Sequence, residues 1–279
     1  FGIAADHHRL VFVNGRLAPE LSRIEDLPPG VFLGGLREAL ESDPAALEAD
    51  LGRLSGPGDN LFAAANTASM AEGALIRLDS DVQLERPIEL LSLSAPTGEP
   101  LIAQPRLLVQ LGAGAQATLV EGFAGLGSGL AFTNVISEIV LGEGARLSHQ
   151  RLQHESPQAF HLAALYLELA ARSDYQCVTS SLGAAWSRTE FHLDFVGEGA
   201  GSRINGLFMA GDRALTDVHL DIRHLVPGCR SEERFKGILD GRGVAVFDGR
   251  ILVAQEAQKT QAHLSNANLL LSRLAEVDT

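Results

Sequence analysis

Short apolar runs recur from about residue 74 to the end of the chain, and each ends at glycine, asparagine or a polar cluster. Strand-length runs separated by turn residues predict β-structure that changes direction often. We therefore expect a mainly β protein. The predicted strands lie at 75–78, 88–93, 107–111, 117–121, 135–141, 162–169, 191–196, 215–225 and 244–253.

A Gly-x-Gly-Ala sequence follows an apolar run three times, at Gly112, Gly142 and Gly197. The intervals of 30 and 55 residues are close to one and two coils of a solenoid that repeats every ~27 to 30 residues. Glycine at a corner adopts positive φ without a Cβ clash, so the strand can turn there. The repeat favours a right-handed parallel β-helix over residues 73–279, although a β-sandwich would give a similar list of strands.

Residues 1–72 have a different pattern and predict a small, partly helical N-terminal region. The pair Asn14-Gly15 follows an apolar run and predicts a β-hairpin. Residues 36–54 predict a helix, with Ser42 or Asp43 as a cap, because Leu47, Leu51 and Leu54 share one face. An alanine-rich helix is predicted at 61–70.

The charge balance excludes some classes of partner. The chain has 22 basic and 35 acidic residues, a net charge of −13, so its surface repels nucleic acid backbones and anionic membranes. No apolar run approaches the ~20 residues that a membrane helix requires. We expect neither nucleic acid nor membrane as a partner.

The two cysteines, Cys177 and Cys229, are too few for a disulfide framework and favour a reducing, cytoplasmic location. We therefore expect that this chain alone binds no cofactor that needs about four thiolate ligands.

Two groups of residues are candidates for chemistry. Asp217, His219, Asp221 and Arg223 share one face of a predicted strand and could bind a metal or act as acid and base. The favoured interpretation is a solvated outer face opposite buried Val218, Leu220 and Ile222, because a half-buried strand alternates in this way.

His224 and Cys229 lie five residues apart across Pro227-Gly228, and they are weak candidates for sharing a soft metal. A buried structural cysteine beside a capping histidine is the favoured alternative. No residue is predicted to be catalytic.

The segment from Phe235 to Ser272 carries a resemblance to a known family. Its phrases Phe235-Lys236-Gly237, Val246 to Val253, Ala257 to Thr260 and Asn266 to Ser272 resemble the SufD family of iron–sulfur cluster assembly proteins, of which SufB is the paralogue. Weaker similarity occurs at Leu10 to Arg16, Pro105 to Leu108 and His224 to Ser231.

The resemblance implies a non-catalytic scaffold subunit of a SufB–SufC–SufD complex that supports assembly of nascent iron–sulfur clusters. It implies pairing with SufB through the β-helix cores. It also implies that an iron–sulfur cluster is bound only transiently and shared with a partner, because this chain has only two cysteines. It also implies a C-terminal helical domain that binds the SufC ATPase; the 279 residues do not include it, so we expect them to be part of a longer chain.

The polar block between the last apolar runs is a candidate partner interface, chiefly because the resemblance is strongest there. The alternative is an ordinary β-helix surface. The candidate interface residues are Lys236, Phe247, Gln258, Lys259, Thr260, Asn266 and Asn268.

A second function considered is a β-helix lyase or hydrolase of carbohydrates that uses Asp217 and Asp221. Sugar grooves usually need stacking aromatic residues, and this chain has one Trp and two Tyr. A structural repeat module is a third and weaker option.

Overall fold

The computed structural model describes residues 6–42, 44–56, 60–70, 72–127 and 129–279, and only the backbone of residues 45 and 46. Strands dominate this part of the chain. The strands are β1 (His8–Val13), β2 (Arg16–Leu17), β3 (Val31–Gly35), β4 (Gly73–Leu78), β5 (Ile88–Ser94), β6 (Leu101–Ala103), β7 (Arg106–Leu111), β8 (Gln116–Gly125), β9 (Ala131–Leu141), β10 (Arg146–His154), β11 (Phe160–Leu169), β12 (Asp174–Ser181), β13 (Trp186–Phe195), β14 (Gly201–Ala210), β15 (Leu215–His224), β16 (Arg230–Leu239), β17 (Val244–Val253), β18 (Gln261–Leu270) and β19 (Glu276–Asp278). The helices are α1 (Leu36–Ser42), α2 (Pro44–Glu48), α3 (Leu61–Ser69) and a 3-10 turn at Pro19–Leu21.

These strands form two sheets, and from β7 onward the chain alternates between them. Sheet A has the order β18-β16-β14-β12-β10-β8-β5-β1-β2, and sheet B has the order β19-β17-β15-β13-β11-β9-β7-β4-β3. From β5 onward, the paired neighbours in both sheets are parallel. One strand from each sheet makes one coil, which confirms the predicted parallel β-solenoid.

The corner between a sheet B strand and the next sheet A strand repeats in every coil. Gly114, Gly144, Gly199 and Gly228 have φ between 68° and 72° at this corner, and Arg172 takes the same place with φ 57°. The Gly114 N–H donates to the Glu143 carbonyl, and the Gly144 N–H to the Ala171 carbonyl, both at 2.8 Å. The glycine motif therefore does mark corners, and a ladder of backbone hydrogen bonds joins them.

The N-terminal residues extend both sheets. Strand β1 pairs in parallel with β5 and turns through Asn14 (φ 53°) and Gly15 (φ 75°) into antiparallel β2, which confirms the predicted hairpin. Strand β3 pairs antiparallel with β4. The division at residue 72 stays a prediction.

The helix predicted at 36–54 is wrong beyond Glu48. In place of one helix, α1 and α2 are followed by turns in which Gly52 has φ 81°. The Gly52, Leu54 and Ser55 N–H groups donate to the Glu138 carboxylate at 2.7–3.0 Å. These bonds replace the helical ones, and Glu138 lies too far along the chain for local patterning to reveal it. The proposed cap Asp43 lies outside the described residues.

The Glu138 carboxylate is the centre of a buried clasp between the N-terminal region and the solenoid. Arg106 forms a 2.7 Å ion pair with it, and both side chains are at most 1% exposed. Helix α3, capped by Asn60, confirms the helix predicted at 61–70, and its Asn66 side chain donates to the Asn134 carbonyl at 2.9 Å. The N-terminal region is thus bound to the outer face of sheet B.

None of the nine predicted strand ranges covers five strands of sheet A: β10, β12, β14, β16 and β18. In β10, the inward positions include His149, Arg151 and Gln153, so polar side chains occupy both faces. Strand β10 is paired on both sides, yet its sequence does not alternate between apolar and polar residues.

Candidate functional site

The predicted interface residues lie in three separate places. Lys236 is exposed on the outer face of sheet A, where its neighbours across the strands are Leu207 and Ala267. It is therefore distant from the lumen and available to a partner.

Gln258, Lys259 and Thr260 form the last of the repeating corners. The Gln258 carbonyl accepts the Gly228 N–H at 2.9 Å, and Lys259 has φ 62°. The Thr260 hydroxyl donates to the Ala257 carbonyl at 2.8 Å. These hydrogen bonds occupy backbone groups of the polar block within the chain, while the Lys259 side chain is exposed.

Phe247, Asn266 and Asn268 point into the lumen of the last coil. Phe247 is 6% exposed and its ring centre lies 5.3 Å from that of Phe235, so it can affect an interface only through the shape of the coil. The Asn268 amide donates to the Asn266 carbonyl oxygen, which leaves Asn266 Nδ2 and Asn268 Oδ1 without partners.

The last coil is open on one side. Within the described chain, β18 pairs only with β16, and β19 covers only the first three residues of β17. Exposed apolar side chains surround this end, and an edge strand can pair with a strand of another chain. The interface roles of all seven residues stay predictions. The exposed apolar residues are Leu252, Val253, Leu269, Leu270, Leu271 and Leu274.

His224 and Cys229, the two weak metal candidates, are both fully buried. The His224 ring stacks on Phe195 with centres 4.4 Å apart, its Nε2 lies 3.2 Å from the Ser231 hydroxyl, and burial lowers its pKa. Cys229 follows the corner residue Gly228, and its thiol donates to the Gly197 carbonyl at 3.4 Å. Burial raises the pKa of this thiol, so the reactive thiolate is disfavoured.

The outer strand face of β15 is occupied by ion pairs. The Asp217 carboxylate accepts from Arg188 at 2.7 Å and lies 2.6 Å from His219 Nε2, a hydrogen bond that raises the pKa of His219. Arg223 makes two 2.6 Å bonds to Asp194. Asp217 and Asp221 are four residues apart on one strand, or roughly 13 Å. Paired glycosidase carboxylates lie closer, at about 5 to 9.5 Å.

A buried ionic cluster in sheet A is absent from the sequence-based predictions. Arg151 donates to Glu121 at 2.6 Å, and His149 Nε2 lies 3.3 Å from the same oxygen. Burial alone would raise the pKa of Glu121, but Arg151 and His149 outweigh it and lower the pKa to about 2. Beside them, burial raises the pKa of Cys177 to about 11, so this thiol stays protonated. Glu121 is the only charged residue of β8, so no spacing of charges along that strand predicted the contact.

A second buried group joins the two sheets. The Glu155 carboxylate lies 2.7 Å from His161 Nδ1 and accepts from the Thr133 hydroxyl at 2.7 Å. The Gln153 amide donates to it at 3.2 Å. These contacts hold the Glu155 carboxylate in the lumen, whereas His161 Nε2 is buried without a hydrogen-bond partner.

Glu233 is a fully buried carboxyl, and one of its oxygens has no hydrogen-bond partner. Burial raises the pKa of its carboxyl from 4.5 to about 7, although the Ser202 hydroxyl donates to it at 3.3 Å. The folded protein therefore binds one more proton than the unfolded chain between these two pH values. We expect the free energy of unfolding to fall by about 3 kcal/mol across this range and to stay lower above it.

Denaturant unfolding of Glu233→Gln at several pH values will measure this contribution. The variant is expected to lose that part of the pH dependence and to be more stable than the unsubstituted protein at pH 8. Glu232→Gln is the matched control, because Glu232 lies on the outer face and hydrogen bonding from Arg203 lowers its pKa. An unchanged pH profile in Glu233→Gln would show that Glu233 is ionised in the fold.

The described residues contain neither a cluster of metal ligands nor a membrane-spanning helix. No group of three or more His, Cys, Asp or Glu side chains is arranged to hold a metal ion. None of the helices in the described ranges has the length and apolarity needed to cross a membrane.

The protein is a parallel β-solenoid. Its N-terminal region is held to sheet B by the Arg106–Glu138 pair, and the edge strand of its last coil is unpaired on one side within the described chain. The family model "SUF system FeS cluster assembly, SufBD core domain" matches residues 94–279, and "SufBD protein N-terminal region" matches residues 4–90. The chain belongs to the SufBD family, which confirms the resemblance identified from its motifs.

Curated relatives support the same assignment. The chain is 32% identical to a SufBD family iron–sulfur cluster assembly protein of Synechocystis, over 99% of the chain and 62% of the relative. It is 32% identical to the iron–sulfur cluster assembly protein SufD of Escherichia coli, over 99% of the chain and 63% of the relative. For SufB of Bacillus subtilis, the identity is 20% over 91% of the chain and 55% of the relative. The chain thus spans somewhat less than two thirds of these proteins.

Proposed function

We propose that the chain acts as a SufD-like, non-catalytic scaffold in iron–sulfur cluster assembly. In this role it pairs with a SufB subunit through the β-helix cores, and the complex works with the SufC ATPase in the cytoplasm. The nascent cluster is the cargo of the complex, and its ligands come in part from the partner. The match of the SufBD core domain to residues 94–279 carries this proposal.

The geometry is consistent with a docking role. The lumen is filled by apolar side chains and buried ion pairs such as Arg151–Glu121, and the outer carboxylates of β15 have cationic partners, Arg188 at Asp217 and Arg250 at Asp221. The edge of β18 offers backbone groups to another strand near the exposed end of the last coil. Two solenoids could therefore pair without any loss of internal contacts.

Co-expression with a SufB homologue tests the proposal. We expect an equimolar complex on size-exclusion chromatography, whereas the isolated chain should neither hydrolyse ATP nor retain a cluster after anaerobic reconstitution. Asp217→Asn with Asp221→Asn should leave the complex intact, because these residues are not proposed to react or dock. Separate elution of the two proteins would count against the scaffold role, and loss of a carbohydrate-cleaving activity in the double variant would support the enzyme alternative.

A further inference from the structure

The outer face of sheet A has the opposite charge balance to the rest of the chain. On β10, β12, β14, β16 and β18, the described outward side chains include only two acidic residues, Asp174 and Glu232. The chain as a whole carries a net charge of −13, so this face is a local basic surface. The basic residues on it are Arg146, Arg203, Arg230, Arg234 and Lys236.

Most of this positive charge is not neutralised within the described residues. Arg203 and Arg234 share a single carboxylate, that of Glu232, which lies 3.2 Å from Arg203 Nε. Arg230 and Lys236 are exposed, and neither forms an ion pair with a described residue. An acidic group brought to this face would therefore find cations that are not already paired.

An apolar stripe lies next to these cations, toward the carboxyl ends of the same strands. Leu207, Met209 and Leu269 are 37%, 44% and 56% exposed. Met209 is directly opposite Ile238, which in turn is opposite Leu269, so the side chains are contiguous across three strands about 4.8 Å apart. Contiguous exposed apolar side chains rimmed by polar ones are typical of protein interaction sites.

The occupant cannot bind here by adding a strand. Strands β14 and β16 are each hydrogen-bonded to a neighbour on both sides, so their backbone groups are used. Recognition on this face therefore depends on side chains, and an amphipathic helix is the peptide element that presents an apolar stripe beside charged residues.

We propose that this face, defined by Leu207, Met209, Ile238 and Leu269 together with Arg203, Arg230, Arg234 and Lys236, docks an acidic amphipathic helix of a partner protein. The helix places its apolar side chains over the stripe and its carboxylates near the cations. A protein is favoured over a lipid surface because the net charge of −13 repels anionic membranes, and the described outward residues of this face include no Trp or Tyr.

This docking face borders the open edge of the last coil, because Leu269 lies on the edge strand β18. The inference does not rest on the proposed function. Of the seven residues predicted from the sequence as an interface, only Lys236 lies on this face.

Fluorescence anisotropy with a labelled synthetic peptide tests the proposal on the full chain. The probe is a helix of about 18 residues with leucines on one face and glutamates beside them. We expect it to bind with Kd below about 100 µM at low ionic strength and to be released by added salt. Met209→Asp and the double variant Arg203→Glu, Lys236→Glu should each weaken binding roughly tenfold.

Matched substitutions elsewhere on the surface distinguish binding at this face from non-specific binding of the peptide. Ile102→Asp removes another exposed apolar side chain, and Arg37→Glu reverses an exposed cation on α1; both should change Kd less than about twofold. Circular dichroism and thermal unfolding will verify that every variant is folded. A scrambled peptide without an apolar face and a peptide with lysine in place of glutamate should bind at least about tenfold more weakly.

Several outcomes would overturn the proposal. These are no binding of the probe, equal binding of the scrambled peptide, or equal losses in the control variants. Binding to vesicles that contain anionic phospholipid, lost in Met209→Asp, would assign the face to a membrane. Self-association in sedimentation velocity that Met209→Asp abolishes would assign it to a second copy of the chain.

Discussion

Replacing Glu138 with glutamine is expected to destabilise the protein by about 3 to 5 kcal/mol, because it removes one partner of a buried ion pair. The substitution keeps the shape of the side chain but leaves the Arg106 guanidinium without its counter-charge, and Arg106 is 1% exposed. It also weakens the three hydrogen bonds from the Gly52, Leu54 and Ser55 backbone. The midpoint of urea unfolding measures the loss.

The substitution should also release the N-terminal region before the solenoid unfolds. Limited proteolysis is expected to cut faster between residues 49 and 56 in Glu138→Gln, since this segment is anchored by the carboxylate. Glu168→Gln is the matched control: it breaks an ion pair with Arg53 whose side chains are 38% and 28% exposed, and such a pair contributes at most about 1 kcal/mol. Similar losses in the two variants would refute the central role of Glu138.

Replacing Gly206 with alanine is expected to cost about 3 kcal/mol, because the lumen has no room for a methyl group there. A Cβ at this position would lie 2.1 Å from two ring atoms of Phe235. The ring cannot easily move, since it contacts Phe191 on one side and Phe247 on the other, with ring centres 6.5 Å and 5.3 Å away. Thermal and urea unfolding measure the effect.

Gly211→Ala is the control for the loss of glycine itself. Gly211 is exposed at the corner that follows β14, and a Cβ there would have nothing within 4 Å. The substitution should change stability by less than about 1 kcal/mol. Phe235→Leu should recover part of the loss when combined with Gly206→Ala, because a smaller side chain vacates the contact. Additive losses in the double variant would exclude the steric explanation.

The two sheets were not equally predictable, and the reason lies in what covers them. Strands β9 and β11 appear as nearly continuous apolar runs because the N-terminal region buries their outer face as well as the lumen face. Sheet A has a solvent-exposed outer face and several polar lumen residues. In β10 this leaves only Leu147 and Leu152 as apolar positions, so no strand-like pattern results.

In the candidate sites, too, the local strand pattern was predictable and the long-range contacts were not. The alternation in β15 correctly placed Asp217 and His219 opposite Val218 and Leu220. The favoured interpretation of a solvated face is wrong at Asp217, which is 7% exposed and lies against Arg188 and His219. No local signal indicated that Glu121 would meet Arg151, or that Glu138 would bind three backbone N–H groups from residues 52–55. Such partners are set by the stacking of coils.

Strand-length runs and corner glycines such as Gly114, Gly144 and Gly199 were enough to predict the class of the fold, because they act over a few neighbouring residues. The motifs near the C-terminal end were likewise enough to identify the family. Three features could be seen only in the folded protein: which charges are buried in pairs, how the N-terminal region is held, and which face is basic and apolar. Those features depend on contacts between residues that are distant along the chain, so no local pattern contains them. Arg106 and Glu138 are 32 positions apart, and Asn60 and Glu190 are 130 positions apart.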